Sequence, residues 1–170
     1  MLDAGLRDEL LRRMERDQEV RTRVPLSEPW PEEVHEECWV VDTDNTAFLK
    51  SVIAEHGWPS HDLVGEQAAH AAWLLVQHAD QDLEFQKSCL RLLQNAVDAG
   101  QAKPSDLAYL IDRVHVGEKR LQVYGTQYHS PDGILMPRPI EDPERLDERR
   151  AQVGLEPHAD YDRTMRELYG

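Results

Sequence analysis

Gln77-His78-Ala79-Asp80 closes the most apolar stretch of the chain and carries its most reactive set of side chains. A histidine at the C-terminal end of a buried helix lies in the negative end of the helix dipole, which favours the imidazolium and suits proton transfer near neutral pH. His78 is therefore the candidate acid or base, and Asp112 is the carboxylate expected to orient it or to share the proton. Arg21 and Arg113 could hold a carboxylate or phosphate in bidentate fashion. Asp17 and Asp42 could line the same site, with Gln18, Asn45, Gln77 and Gln127 supplying hydrogen bonds. In Tyr124-Gly125-Thr126-Gln127, backbone N–H groups and a hydroxyl could surround an anion, with Gly125 allowing close approach. Plainer roles stay open for each: His78 bonded to a backbone carbonyl, Arg21 and Asp112 as a structural ion pair, Asp42 as a helix cap, and the Tyr124 segment as a strand with a glycine bulge.

The elements that must position these residues are read from hydrophobic spacing. Residues 4–22 form an amphipathic pattern with Leu6, Leu10, Leu11 and Met14 on one stripe, which Asp17, Gln18 and Arg21 then continue with polar groups. Residues 24–37, rich in proline and acid, read as a loop. A second helix follows Trp39 to Val41, with Asp42 or Asp44 as its cap and Leu49, Val52, Ile53 and His56 on one face, and it stops at Gly57-Trp58-Pro59. The third, residues 64–79, is apolar almost all round and so belongs in the centre. Asp80 or Asp82 caps a fourth, with Phe85, Cys89, Leu93, Ala96 and Val97 inward, and Pro104 begins a fifth, with Leu107, Leu110, Ile111 and Val114 inward. Short connections favour antiparallel neighbours, which brings the polar interruptions, Gln86 among them, to one end of the bundle.

After Gly117 the pattern changes. Ser130-Pro131-Asp132-Gly133 reads as a turn between two extended arms, a small β-hairpin over residues 119–140, and residues 141–170 read as a charged helical tail that wraps the bundle. The expectation is a mainly α, single-domain chain over residues 1–170: a helical bundle of about five core helices within 4–118, the hairpin, and the tail.

Composition narrows the function. With 33 acidic residues against 19 lysines and arginines, and a net charge of −14, the chain repels polyanions, so nucleic acid and anionic membranes are not expected partners. No run of residues is apolar enough to span a bilayer and the N-terminus is amphipathic, so a cytoplasmic location is expected. Cys38 and Cys89 lack metal or redox spacing and read as buried thiols. The chain has no HExxH, no paired-cysteine motif and no calcium loop, and its histidines are scattered, so neither metal nor cofactor is expected. Ser88 lacks a nucleophile elbow and Cys89 lies on a core stripe, which leaves acid/base chemistry rather than covalent catalysis. A homodimer is the default oligomer for a chain of this kind.

The segments MERDQEVR, VDTDNTAFLKSVIAEHGWP, VGEQAAHAAWLLVQHAD, LAYLIDRVHVGEKRLQVYGTQ and PIEDPERLDERRAQVGLEP together resemble a widespread family of bacterial, all-helical proteins of unknown function. The excess of arginine over lysine fits a high-GC bacterial source. The resemblance implies no activity. Its segments contain Asp17, Gln18, Arg21, Asp42, Asn45, Trp58, Gln77, His78, Asp112, Arg113 and the Tyr124 to Gln127 turn, which makes a shared polar site its one functional implication. His158-Ala159-Asp160 falls where a more apolar run would be expected.

Two readings follow. One is a cofactor-independent acid/base enzyme, of hydrolase, lyase or cyclase type, acting on a small polar or anionic molecule or a peptide end. The other is a non-catalytic, immunity-like or pathway-accessory module that meets a basic protein partner through its acidic surface and the exposed aromatic of Glu28-Pro29-Trp30-Pro31.

Overall fold

The computed structural model describes residues 1–25 and 29–170. Helix α1 (Ala4–Arg21) starts at Asp3, whose side chain accepts the Leu6 N–H at 2.9 Å. Helix α2 (Glu32–His56) is longer than its sequence pattern predicts. Pro31 precedes its first turn, and Glu32 and Glu33 sit in that turn, where carboxylates complement the helix dipole. The acids that read as loop composition are thus helix-starting residues, and Asp42 and Asp44 lie in mid-helix rather than at a cap. Trp30, expected to be exposed, is half-buried against Val20, Cys38 and Val41, while Glu28 falls outside the described residues.

The predicted third helix, residues 64–79, matches one helix, and a single turn that the pattern did not show precedes it. Ser60 caps a single turn, α3 (His61–Val64), and Gly65 at φ 81° breaks the helix before α4 (Glu66–Gln77). Helix α4 is the centre of the molecule and packs against α1, α2, α3, α5 and α6. Ala68, Ala69, Ala71 and Ala72 are buried along it, which lets its neighbours approach closely around Trp73, Leu75 and Val76. Helix α5 (Leu83–Asp98) is capped by Asp82 through the Phe85 N–H at 3.0 Å, so Asp80 is released for another role. Pro104 opens α6 (Pro104–Gly117). Leu10, Leu49, Leu93 and Leu110 are at most 1% exposed, each worth roughly 2 kcal/mol of burial. Cys38 and Cys89 are free, buried thiols, and burial pushes the Cys89 thiol up to about 12.

Beyond α6 the hairpin is smaller than expected. Strands β1 (Tyr128–His129) and β2 (Met136–Pro137) pair antiparallel across a 3₁₀ turn at Pro131–Gly133. Side chains hold the remaining extended chain: Gln122, fully buried, donates to the carbonyls of Gln127 and Arg138 at 3.0 and 2.8 Å and accepts the Gln127 N–H at 2.9 Å. The tail forms α7 (Leu146–Gln152) and α8 (His158–Tyr169). Among the described residues no helix is long and apolar enough to cross a membrane.

Candidate functional site

Helix α4 ends at Gln77, and the His78 N–H still bonds back to Leu74 O at 3.2 Å, so the imidazole projects from the last turn. It meets α1, not α6. His78 Nδ1 lies 2.9 Å from both carboxylate oxygens of Asp17, whose side chain is fully buried. Burial opposes the charge on Asp17, but the hydrogen bond and positive charge of His78, then Arg21 and Gln18, hold the carboxyl below its ordinary range. An ionised Asp17 requires Nδ1 to be the donor. Arg21 Nε, 3.0 Å from Nδ1, therefore cannot be bonded to it and gives its hydrogen to Asp17 Oδ1 at 3.2 Å. In the neutral ring this leaves the lone pair on Nε2. The His78 side chain is 17% exposed, and among the described residues Nε2 has no hydrogen-bond partner.

Arg21 carries a second carboxylate, Asp42, on its Nη2. The two acids differ in environment: burial pushes Asp42 upward, outweighing Arg21. One arginine thus sits between an acid held low and an acid raised by burial. Gln18 donates to Asp17 at 2.8 Å. The helices explain the meeting: Arg21 reaches Asp42 while Arg13 reaches Asp44 and Asn45, so α1 and α2 run antiparallel.

A second network begins two residues after His78. Asp80 holds Arg113 through two hydrogen bonds of 2.9 and 2.6 Å, and Arg113 Nη1 donates to Gln127 Oε1 at 2.9 Å. Burial disfavours the Asp80 charge, but Arg113 and Gln86 lower its carboxyl below the usual range. Gln86 Nε2 lies 3.2 Å from Val76 O, Gln77 O and Asp80 Oδ1, so a buried amide closes the carbonyl end of α4 and ties Asp80 to it. A cleft of about 270 Å³ opens beside this pair, walled by Leu83, Val116, Gln127 and Arg138.

Asp112 does not orient His78. It is fully buried and accepts four hydrogen bonds from the turn that follows α6: Val123 N at 2.7 Å, Tyr124 N at 2.9 Å, Thr126 N at 3.0 Å and Thr126 Oγ1 at 2.8 Å. The Tyr124 to Gln127 segment is an anion nest, as its sequence suggests, and the anion is the chain's own carboxylate. Tyr124 and Thr126 are consumed in this way. Arg149 and Arg150 take the opposite side of the backbone, donating to Val123 O at 2.9 Å and Tyr124 O at 2.6 Å. The Arg21 and Asp112 pairing does not form either, since each has other partners.

Of the remaining predicted residues, Asn45 is buried and bonded to Arg13 at 3.0 Å. Gln77 donates to Tyr109 O at 3.2 Å, on the α6 side of the helix, and among the described residues its buried Oε1 has no partner. The structure therefore joins Asp17, Gln18, Arg21, Asp42 and His78 in one cluster and Arg113 and Gln127 in the next. Sequence reasoning missed Asp80 as an ion-pair partner, Gln122, Arg138 and the Arg149-Arg150 clamp. Only the adjacent arginines in the tail gave any signal, and they read as part of a charged helical tail. Among the described residues no group of three or more His, Cys, Asp and Glu side chains is arranged to hold a metal ion.

A family model described as a family of unknown function (DUF6624) matches residues 4–170. No curated protein and no solved structure matches the chain.

Proposed function

The chain belongs to this family of unknown function, and from its geometry we propose that it is an acid/base enzyme of hydrolase, lyase or cyclase type acting on a small polar or anionic molecule or a peptide end. The observation that carries the reading is the Asp17–His78 pair, in which a buried carboxylate fixes the ring through Nδ1 and leaves Nε2 for proton exchange. Asp17 stabilises the imidazolium that forms when Nε2 takes a proton. Arg21 offsets the two carboxylates around it, Asp17 and Asp42. Arg113 and Gln127 supply hydrogen-bond donors to the ligand from the adjoining network.

The test is a thermal-shift screen of polar metabolites on the full chain, followed by turnover assays of the hits. A ligand at a hundred times its dissociation constant adds about 2.7 kcal/mol, several degrees at this chain length. Hits should be turned over by the wild type and not by a folded His78→Ala variant. Equal turnover in both would remove His78 from the chemistry and end this reading.

One observation favours the interaction module instead. Trp39 and Val40, adjacent on α2, are 62% and 57% exposed beside Glu32 and Glu36, an apolar patch with an acidic rim suited to a basic protein. That reading expects salt-sensitive binding lost in Trp39→Ala, and binding insensitive to both salt and Trp39 would exclude it.

A further inference from the structure

We propose that the cleft beside Asp80 and Arg113 binds a small organic monocarboxylate, its carboxylate on Arg138 and Arg113 and its apolar body on Leu83 and Val116. The inference rests on the reading above in taking this end of α4 as the substrate end, and it names the ligand class. The position of Arg138 is fixed by its backbone, whose N–H donates to Gln127 O at 2.9 Å, and the residue lines the cleft. Among the described residues its guanidinium has no hydrogen bond and no carboxylate within ion-pair distance. Arg113 has five N–H groups, of which two hold Asp80 and one holds Gln127, so two remain uncommitted.

Charge selects the ligand. Two arginines and one aspartate give the cleft a net charge of about +1 within a chain of −14. A carboxylate matches that charge. A phosphate monoester, at about −1.5 to −2, would carry surplus negative charge against Asp80. The opposite wall is apolar, and it is held in place by contact: a Cβ on Gly117 would come within 2.9 Å of Leu83 Cδ1, so α6 presses directly on that side chain. At about 270 Å³ the cleft falls below the usual range for drug-sized ligands, which limits the body to a few carbons.

The probe is butyrate, titrated into the full chain by calorimetry and by amide chemical shifts, with n-butyl phosphate and butylamine in parallel. Butyrate should bind saturably to the wild type, about tenfold or more weaker to Arg138→Gln, and with partial recovery in Arg138→Lys. Arg145→Gln, which removes an arginine from a separate cleft, should leave it unchanged. Absence of saturable binding at tens of millimolar, equal weakening in Arg145→Gln, or tighter binding of butyl phosphate or butylamine would each overturn the assignment. Butyrate binding that persists while no substrate is turned over removes the catalytic reading alone. His78-dependent turnover without butyrate binding removes the ligand class alone.

Discussion

Asp112 and Arg150 grip the same turn through opposite backbone groups: the carboxylate accepts the N–H groups of Val123, Tyr124 and Thr126, and the guanidinium donates to Tyr124 O. Both side chains are almost completely buried, Asp112 at 0% and Arg150 at 1%, and neither forms an ion pair among the described residues. Their charges are compensated by peptide dipoles and, for Arg150, by the Tyr161 ring 5.0 Å away. This arrangement joins α6 to α7 and α8 through one turn, and it fixes the backbone from which Gln127 reaches Arg113.

Removing the acid should therefore cost far more than a surface mutation. Asp112→Ala leaves three backbone N–H groups and a hydroxyl without their acceptor in a closed interior, at a cost of about 3–5 kcal/mol. The melting temperature should drop by roughly 10 °C. A loss within about 0.5 kcal/mol, the surface-mutation range, would show that the nest tolerates an empty centre.

Gly125 is the one residue of the turn that cannot carry a side chain. It sits at φ 68°, and a Cβ there would lie 2.8 Å from His158 Cδ2 and 3.2 Å from Ile140 Cδ1. Gly125→Ala should destabilise by about 1–3 kcal/mol and loosen α8 first, read as faster amide exchange and proteolysis after residue 157. Uniform loss of protection across α1 to α8 would contradict a local effect.

The acid limb of stability should depend on Asp17. Because its folded-state carboxyl lies below the ordinary 3.8, its contribution is complete above that pH and is lost as pH falls through the lower folded value. Asp42, raised by burial, has the opposite sign: it favours the fold at low pH and loses that contribution as pH rises through its folded value. Asp17→Asn should make the acid limb of a pH-dependent urea titration shallower, and Asp42→Asn should make it steeper. Parallel limbs in both variants would contradict the split.

A second pH dependence belongs to the tail. Burial, then the Arg150 charge, hold His158 below its usual 6.5, despite its hydrogen bond to Gly125 O at 3.2 Å. Its contribution is complete above pH 6.5 and is lost as pH falls through the lower folded value. Amide protection in α8 should weaken between those two values in the wild type, and His158→Gln should show no such step. A step that survives the substitution would belong to another group.

Residues that end a periodic pattern were legible from the chain, and residues that choose a partner were not. Asp82 and Pro104 start their helices as expected because a cap or an N1 proline acts on its own first turn. The all-round apolar helix lies at the centre for a similarly local reason, since a helix with no polar face must be covered on every side. His78 and Asp112 are each placed where the pattern puts them, at the end of α4 and within α6, yet their partners differ from the expected ones. A carboxylate four residues from an arginine on α1 outcompetes one on α6 for the imidazole, and the distance that decides this is a helix-packing distance, absent from sequence spacing.

The sequence by itself determined most of the helices, their apolar faces, and the polar residues that interrupt those faces, because each depends on neighbours within about one turn. Tertiary structure alone decided that Asp17 serves His78, that Asp80 holds Arg113, and that the anion nest is filled by Asp112. These pairings join residues 61, 33 and 14 positions apart. Buried charges take whichever opposite group the packed core brings within about 3 Å, and that choice exists only once the helices have docked.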